Sequence, residues 1–262
     1  KNHLVWASQH GVLPGRSTLS NLLEYLETLT RLIDEGHQVD VLYLDFRKAF
    51  DVVPKQRLLI KMESMGVRGK VLDWFKEWLT GRTQRVVLNG KQSGVGEVKS
   101  GVVQGSTLGP TLFLIYINDI SSAVKDGVSA LDMTSSILSL FADDTKWGRC
   151  VDKQEDRESF QQEIDRLSDW SSTWQLHFNT SKCKVMHLGK KNVKEKYTMQ
   201  GSLLESTTAE KDIGVMIQES LKPSLHCAKT ADKANGVLGQ LSRAVFYRDS
   251  NTFIRLYLVY VR

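Results

Sequence analysis

Paired cysteines are missing from this chain of 262 residues. It has three, Cys150, Cys183 and Cys227, set far apart. An odd, scattered set supports neither a disulfide framework nor a zinc cluster and points to a reducing compartment. The six histidines form no HxxxH or Cys/His grouping, which leaves the common zinc signatures without ligands. No signal-peptide pattern is read. The longest apolar run, near 112–117, falls far short of the ~20 residues that span a bilayer, so no membrane partner is expected. Internal repeats and low-complexity segments are lacking as well.

What remains is the composition of an ordinary globular protein, 41% hydrophobic and 25% charged, with enough chain for one large domain or two modest ones. Its charge is uneven. Residues 182–262 hold 14 Lys/Arg against 7 Asp/Glu, while the first 181 hold 21 against 23. A basic part that follows an acidic-leaning part suits a polyanionic partner held near bound metal, and suits a solubilising surface equally well. The chain opens at "KNHLVWASQHG" and stops inside an amphipathic pattern, "FIRLYLVYVR", which suggests a piece of a longer polypeptide.

Local patterns give the elements. Leu19, Leu22, Leu23, Leu26, Leu29 and Ile33 predict a helix over 17–35 that Gly36 stops. "VDVLYL" predicts a strand buried on both faces, and it ends at Asp45. Helices are expected over 54–65, with proline in the first turn, and over "KVLDWFKEWLTG", with Val71, Trp74, Phe75 and Trp78 on one face. Asn89-Gly90 predicts a hairpin turn. After the glycine-rich loop "GVVQGSTLGP" a helix over "TLFLIYINDI" is expected, with Ser106 or Thr107 near its N-cap. A loose stretch over 121–136 then leads to the strand "ILSLFA". A long helix over 155–174, two β-like pieces, "CKVMHLG" and "DIGVMI", and a helical end complete the chain. Strands and helices mixed in this way predict an α+β fold.

The strand "ILSLFA" runs into "DDTK", which places Asp143 and Asp144 side by side. Aspartates are common in turns, where they cap nearby amides. The other reading is metal binding. Asp45 ends one buried strand and the pair ends another, and if the strands share a sheet the three carboxylates meet at its rim. Carboxylates so placed repel one another unless a cation neutralises them. Hard divalent ions such as Mg²⁺ fit oxygen donors of this kind, and two ions ~4 Å apart can activate a hydroxyl and stabilise a leaving oxygen in phosphoryl transfer.

"VLYLDFRKAFDVVP", "SGVVQGSTLGPTLFLIYINDI", "LFADDTK", "WQLHFNTSKCKVMHLGK" and "AEKDIGVMI" occur in that order. The series resembles the successive motifs of reverse transcriptases of non-LTR (LINE-type) retrotransposons, most similar to the jockey-like branch. The likeness covers almost the whole chain, including the opening "QHG…PGRST" and the closing "CAKTADKANGVLGQLSRAV". It implies a right-hand polymerase, with fingers and palm around an antiparallel sheet over 1–217 and a truncated helical thumb over 218–262. It also implies an RNA-directed DNA polymerase that uses an RNA template, a DNA primer and a deoxynucleotide (dNTP). Two Mg²⁺ or Mn²⁺ ions would be held by Asp45 and Asp143, with Asp144 a less direct ligand. An endonuclease domain is expected upstream of Lys1, and a ribonucleoprotein of nucleus and cytoplasm is the expected setting.

The same resemblance makes Phe50 a steric gate beneath the sugar, against the plainer reading of a core aromatic. Gln104 becomes a contact to template or incoming base, and Gly105 lets the backbone approach the nucleotide. Lys182 lies near the triphosphate as a proton donor to the leaving group, or is an ordinary surface lysine. Arg16 and Ser17 are phosphate contacts. Trp147, Trp170 and Trp174 are expected in the core rather than as base-stacking platforms. Departures exist. Val12 and Leu13 stand where the family has an aromatic and a basic residue, Val103 where proline is usual, and Thr107 where an apolar residue or proline is common. The stretch "VKDGVSALDMTSSILS" is longer than typical. Such changes suit drift in an old genomic copy, so a degenerate, inactive remnant with residual nucleic-acid binding is the alternative. A two-metal nuclease is a third reading, in which Phe50 and the Gln104-Gly105 loop have no role.

Overall fold

Leucine spacing produces α1 (Thr18–Asp34), and Ser17 caps it in a reciprocal pair with Ser20, each hydroxyl accepting the other's amide at 3.1 and 2.9 Å. This is a computed structural model, and it describes residues 5–6, 8–125, 136–246 and 249–261. After α1 come β1 (Val39–Leu44), α2 (Ala49–Val52), α3 (Lys55–Ser64) and α4 (Lys70–Leu79). Four two-residue strands follow: β2 (Thr83–Gln84), β3 (Val87–Leu88), β4 (Lys91–Gln92) and β5 (Gly96–Glu97). Next are α5 (Gly109–Ile117), α6 (Ile120–Lys125), β6 (Ser136–Phe141), β7 (Asp144–Cys150) and α7 (Gln154–Trp174). Then come β8 (Lys184–Leu188), β9 (Thr198–Met199), β10 (Ser202–Leu203) and β11 (Glu205–Thr207). The chain divides into two compact units, Lys1–Thr207 and Thr208–Arg262. The second unit holds β12 (Ala209–Asp212), β13 (Val215–Gln218), α8 (Ser224–Ala244) and α9 (Ser250–Tyr260).

The first unit is built on a five-stranded sheet of order β11-β8-β1-β7-β6, in which only the β11–β8 pair is parallel. All six residues of the central strand β1 are buried, as its continuous apolar run predicts. On one face Leu42 and Leu44 join Trp147 and Val185, with Phe160 and Ile164 from α7, in the main core. On the other, the Tyr43 hydroxyl meets that of Tyr25 from α1 at 2.8 Å. Each fully buried aliphatic or phenyl side chain of this kind contributes about 1.5–3 kcal/mol.

Two polar clusters fix the layers. Asp40, fully buried in β1, takes hydrogen bonds from Tyr197 Oη (2.7 Å) and Asn192 Nδ2 (2.8 Å) and lies 2.7 Å from His187 Nδ1. Glu163 of α7 accepts from Trp147 Nε1 at 2.7 Å and pairs with Arg149, both on β7. Burial pushes the Glu163 carboxyl up, against the pull of Arg149. A buried carboxylate needs such a full set of donors.

Several expectations are corrected here. The loose stretch begins as helix α6, because the Asp119 carbonyl accepts from the Ser122 and Ala123 amides and restarts the turn; residues 126–135 lie outside the described ones. The β-like piece "DIGVMI" runs from the last residue of β12 into β13, with a turn at Ile213-Gly214 of φ 44° and 92°. Ser106 is not the N-cap residue of α5, which is Leu108, yet its hydroxyl accepts the Gly109 amide at 2.9 Å and serves the helix start. In α4, Phe75 and Trp78 pack on the core while Val71 and Trp74 stay exposed. Trp147, Trp170 and Trp174 do pack in the core, Trp174 partly exposed.

Candidate active site

Asp45 follows β1 directly, and Asp143 lies in the two-residue turn between β6 and β7. Antiparallel pairing sets Leu44 opposite Thr145 and Phe141 opposite Asp144. The register therefore carries the end of β1 to the turn that holds both later aspartates. Ala142, the first turn residue, has φ of 56°, a conformation that costs an alanine about 1–2 kcal/mol.

Asp45 and Asp143 are close enough to feel each other. Burial first, and then the Asp45 charge, push the Asp143 carboxyl above its ordinary value, opposed by a hydrogen bond with its own backbone. Asp45 Oδ2 is buried without a hydrogen-bond partner. Lys182 Nζ stands 3.5 Å from it, an ion-pair distance that lacks hydrogen-bond alignment. Asp144 is exposed at the start of β7. Among the described residues no three carboxylate, imidazole or thiol groups converge closely enough to hold an ion as they stand. An orphaned carboxylate oxygen beside a second carboxylate of raised pKa is a hard-oxygen donor set, and it fits Mg²⁺ or Mn²⁺.

The loop after β1 is anchored from below. The Asp45 amide donates to Cys183 Sγ at 3.4 Å, and the Asn179 amide donates to the Asp45 carbonyl at 2.7 Å. Burial pushes the Cys183 thiol up to about 11, so it acts as a neutral packing group rather than a nucleophile. The turn 179–183 thus delivers Lys182 to the carboxylate.

Phe50 sits on α2, half-buried, and stacks on Phe113 with ring centroids 4.3 Å apart. The Phe50 carbonyl accepts the Val102 amide at 2.9 Å, which ties α2 to the "GVVQG" loop. Gly101 makes this approach possible, because a Cβ there would lie 2.7 Å from the Asp51 carbonyl oxygen. In the same loop Gln104 Nε2 donates to Asp51 Oδ1 at 2.6 Å, and Gly105 has φ of 75°. A cleft of about 760 Å³ beside them is lined by Lys48, Lys55, Arg82 and Lys99, with Asp51 and Glu97 among them. Arg16 is held elsewhere, by Glu24 at 3.4 Å and His10 at 2.8 Å near the start of α1; Ser17 is taken up in capping. No described hydrogen bond or ion pair joins Arg16 or Gln104 to the carboxylates.

The structure therefore gathers Asp45, Asp143 and Lys182, and separately links Phe50 with the Gln104 loop. Asp51 and Cys183 hold these groups in place, although neither stands among the residues that the sequence marks as functional. The signal for Asp51 was present in "KAFD", one residue after the aromatic. Nothing local marked Cys183, whose contact to Asp45 spans 138 positions.

A family model described as reverse transcriptase (RNA-dependent DNA polymerase) matches residues 2–221. The RNA-directed DNA polymerase from mobile element jockey of Drosophila funebris is 31% identical over 184 residues, 68% of this chain and 19% of that protein. The probable RNA-directed DNA polymerase from transposon X-element of Drosophila melanogaster is 28% identical over 222 residues, 83% of this chain and 24% of that protein. The chain thus spans about a fifth to a quarter of the length of these curated relatives. Among solved structures, apo telomerase from Candida tropicalis truncated from its C-terminal domain superposes with a TM-score of 0.56 at 14% identity, over 82% of this chain and 40% of that one, a likeness of fold alone.

Proposed function

We propose, for a chain that belongs to the reverse transcriptase (RNA-dependent DNA polymerase) family, that Asp45, Asp143 and Asp144 form the centre of an RNA-directed DNA polymerase domain of a non-LTR retroelement. The observation that carries the reading is the strand register that sets the end of β1 beside the β6–β7 turn, with the Asp45 charge acting on Asp143. Asp45 and Asp143 hold the divalent ions, and Asp144 assists. Two such ions, when bound, polarise a primer 3′-hydroxyl and stabilise the charge on the departing pyrophosphate.

The chain's own residues do the rest. Lys182 donates a proton to the leaving pyrophosphate. Phe50 lies under the sugar and excludes the 2′-hydroxyl. Gln104, held by Asp51, contacts template or incoming base beside Gly105, and Arg16 steadies phosphate once freed from Glu24. The lysines and arginine of the neighbouring cleft attract the template backbone, where most nucleic-acid affinity arises. Residues 1–217 serve as fingers and palm, and the helices that follow as a thumb. An upstream endonuclease domain and a ribonucleoprotein of nucleus and cytoplasm belong to the same proposal. Among the described residues no helix is long and apolar enough to cross a membrane.

Primer extension on an RNA template with Mg²⁺ tests this reading, with Asp143→Asn as the control. Extension by the wild type and loss in the variant is the expected outcome. RNA binding without extension in either would favour the inactive remnant, and template cleavage would favour the nuclease.

A further inference from the structure

The turn that carries Asp143 is held from outside its own hairpin. Gln9 is 2% exposed, and its Oε1 accepts two amides, that of Gly11 at 2.7 Å and that of Ala142 at 3.0 Å. The segment around Gln9 lies along the outer edge of β6: the His10 amide donates to the Leu140 carbonyl at 2.9 Å, and the Leu140 amide to the Ser8 carbonyl at 3.1 Å. Gly11 permits this contact, since a Cβ there would stand 2.5 Å from the Ala142 nitrogen. Asn21 of α1 secures the same strand, donating to the Leu140 carbonyl at 3.0 Å and accepting from Ser139 Oγ and Lys146 Nζ at 3.0 and 2.9 Å.

We infer that Gln9 is a positioning residue for the carboxylate centre: its side-chain oxygen holds the Ala142 amide and thereby fixes the left-handed turn that aims Asp143 at Asp45. The inference rests on the reading of the site given above. Its logic is that of a group behind a metal ligand. Ala142 is in a conformation that alanine resists, although the twist of the paired strands favours it at the first position of a two-residue turn. A buried acceptor placed on that amide supplies the constraint from a separate segment. Loss of an orienting partner of this kind weakens metal binding by about 10–100-fold.

Two variants of the full chain separate positioning from folding. Gln9→Met keeps length and bulk but removes the oxygen acceptor. Gln9→Glu keeps an oxygen at the same reach. Mn²⁺ binding is measured by the paramagnetic signal of the free ion, alongside the urea midpoint. Gln9→Met should bind Mn²⁺ at least about tenfold more weakly while remaining folded, and Gln9→Glu should recover most of that loss. Asp143→Asn reports on the site itself. If Asp143→Asn loses Mn²⁺ and Gln9→Met does not, the positioning role is overturned while the site stands. If Asp143→Asn binds as the wild type does, the site reading fails. Amide hydrogen exchange in the wild type adds a measurement that needs no variant. The Ala142 amide should be protected despite its place in a turn, and rapid exchange there would refute the clamp, whatever the fate of Gln9→Met.

Discussion

Truncating Phe50 to alanine separates two jobs for one ring. The ring is half-buried and stacks on Phe113 at 4.3 Å with 22° between planes. Such a pair contributes about 0.5–1.5 kcal/mol beyond burial, and losing roughly half the burial of a phenyl group costs about 1 kcal/mol more. Phe50→Ala should therefore destabilise the chain by about 2 kcal/mol, less than the ~3–5 kcal/mol of a fully buried phenylalanine. That loss is a fraction of a typical stability of about 5–15 kcal/mol, so the variant stays folded and can be assayed. If the exposed part of the ring lies under the sugar, it rejects a 2′-hydroxyl by overlap, and the wrong nucleotide is penalised rather than the right one favoured. A clash of ~3 kcal/mol gives on the order of a hundredfold discrimination. The assay compares incorporation efficiency for deoxy- and ribonucleotides on a primed RNA template, with urea denaturation alongside. The expected result is a collapse of the ratio by most of that factor, with a stability loss near 2 kcal/mol. A ratio unchanged by Phe50→Ala would refute the gate and leave the ring as a packing element.

Asp143→Asn tests the raised carboxyl: because burial and Asp45 hold Asp143 above its ordinary value, the folded wild type binds that proton more tightly than the unfolded chain. Its contribution to stability is then present in acid and lost as pH rises through the raised value; urea midpoints across the acid range should show that fall in the wild type and not in the variant. Lys61, buried against Tyr116, Trp170 and Trp174 and paired with Asp119, is pushed down by burial to about 8 from 10.5. Here the unfolded chain binds the extra proton, so stability should rise between those two values, and Lys61→Met should remove the rise. Ala142→Gly should raise stability by about 0.5–1 kcal/mol, the relief of a left-handed alanine less the entropy that glycine adds to the unfolded chain; an unchanged or lower urea midpoint would contradict the strain.

The parts of the fold that were legible in the sequence are those with a short-range cause. Helix α1, strand β1, the Asn89-Gly90 turn and α7 follow from periodicity or turn chemistry confined to a few residues. What escaped was set at a distance. The short strands β9, β10 and β11 have no alternating pattern, and β11 exists because its backbone pairs with β8. Helix α6 needed the Asp119 carbonyl, in a residue whose carboxylate is engaged by Lys61 and Trp170 Nε1. The site divides in the same way. Asp45 and the Asp143-Asp144 pair announced themselves as acids ending apolar strands. Gln9 did not, because its role is to accept an amide 133 positions away, and a lone glutamine near the start of a chain carries no pattern. The placement of Arg16 with Glu24 and His10 depends likewise on a helix face that only the folded α1 presents.

Placing acids at strand ends, rather than on a loop, gives the sheet control of their spacing. In a strand the side-chain period is two, so a slip of one residue turns every side chain to the other face. β1 is buried on both faces, with Leu42 and Leu44 in the main core and Tyr43 bonded to Tyr25 on the opposite side. A slip would drive Asp40 out of its set of three partners and strand it in apolar surroundings. That penalty, not any attraction between the aspartates, is what keeps Asp45 level with the β6–β7 turn. The Asp143 carboxylate itself opposes the arrangement, since burial and then the Asp45 charge disfavour its ionised form. Their approach is therefore imposed by core packing from within and by Gln9 and Asn21 from the edge. It follows that the residues setting the approach of Asp45 and Asp143 include several outside the pair, and that a divalent cation bound as proposed would relieve the burden that burial and the Asp45 charge place on Asp143.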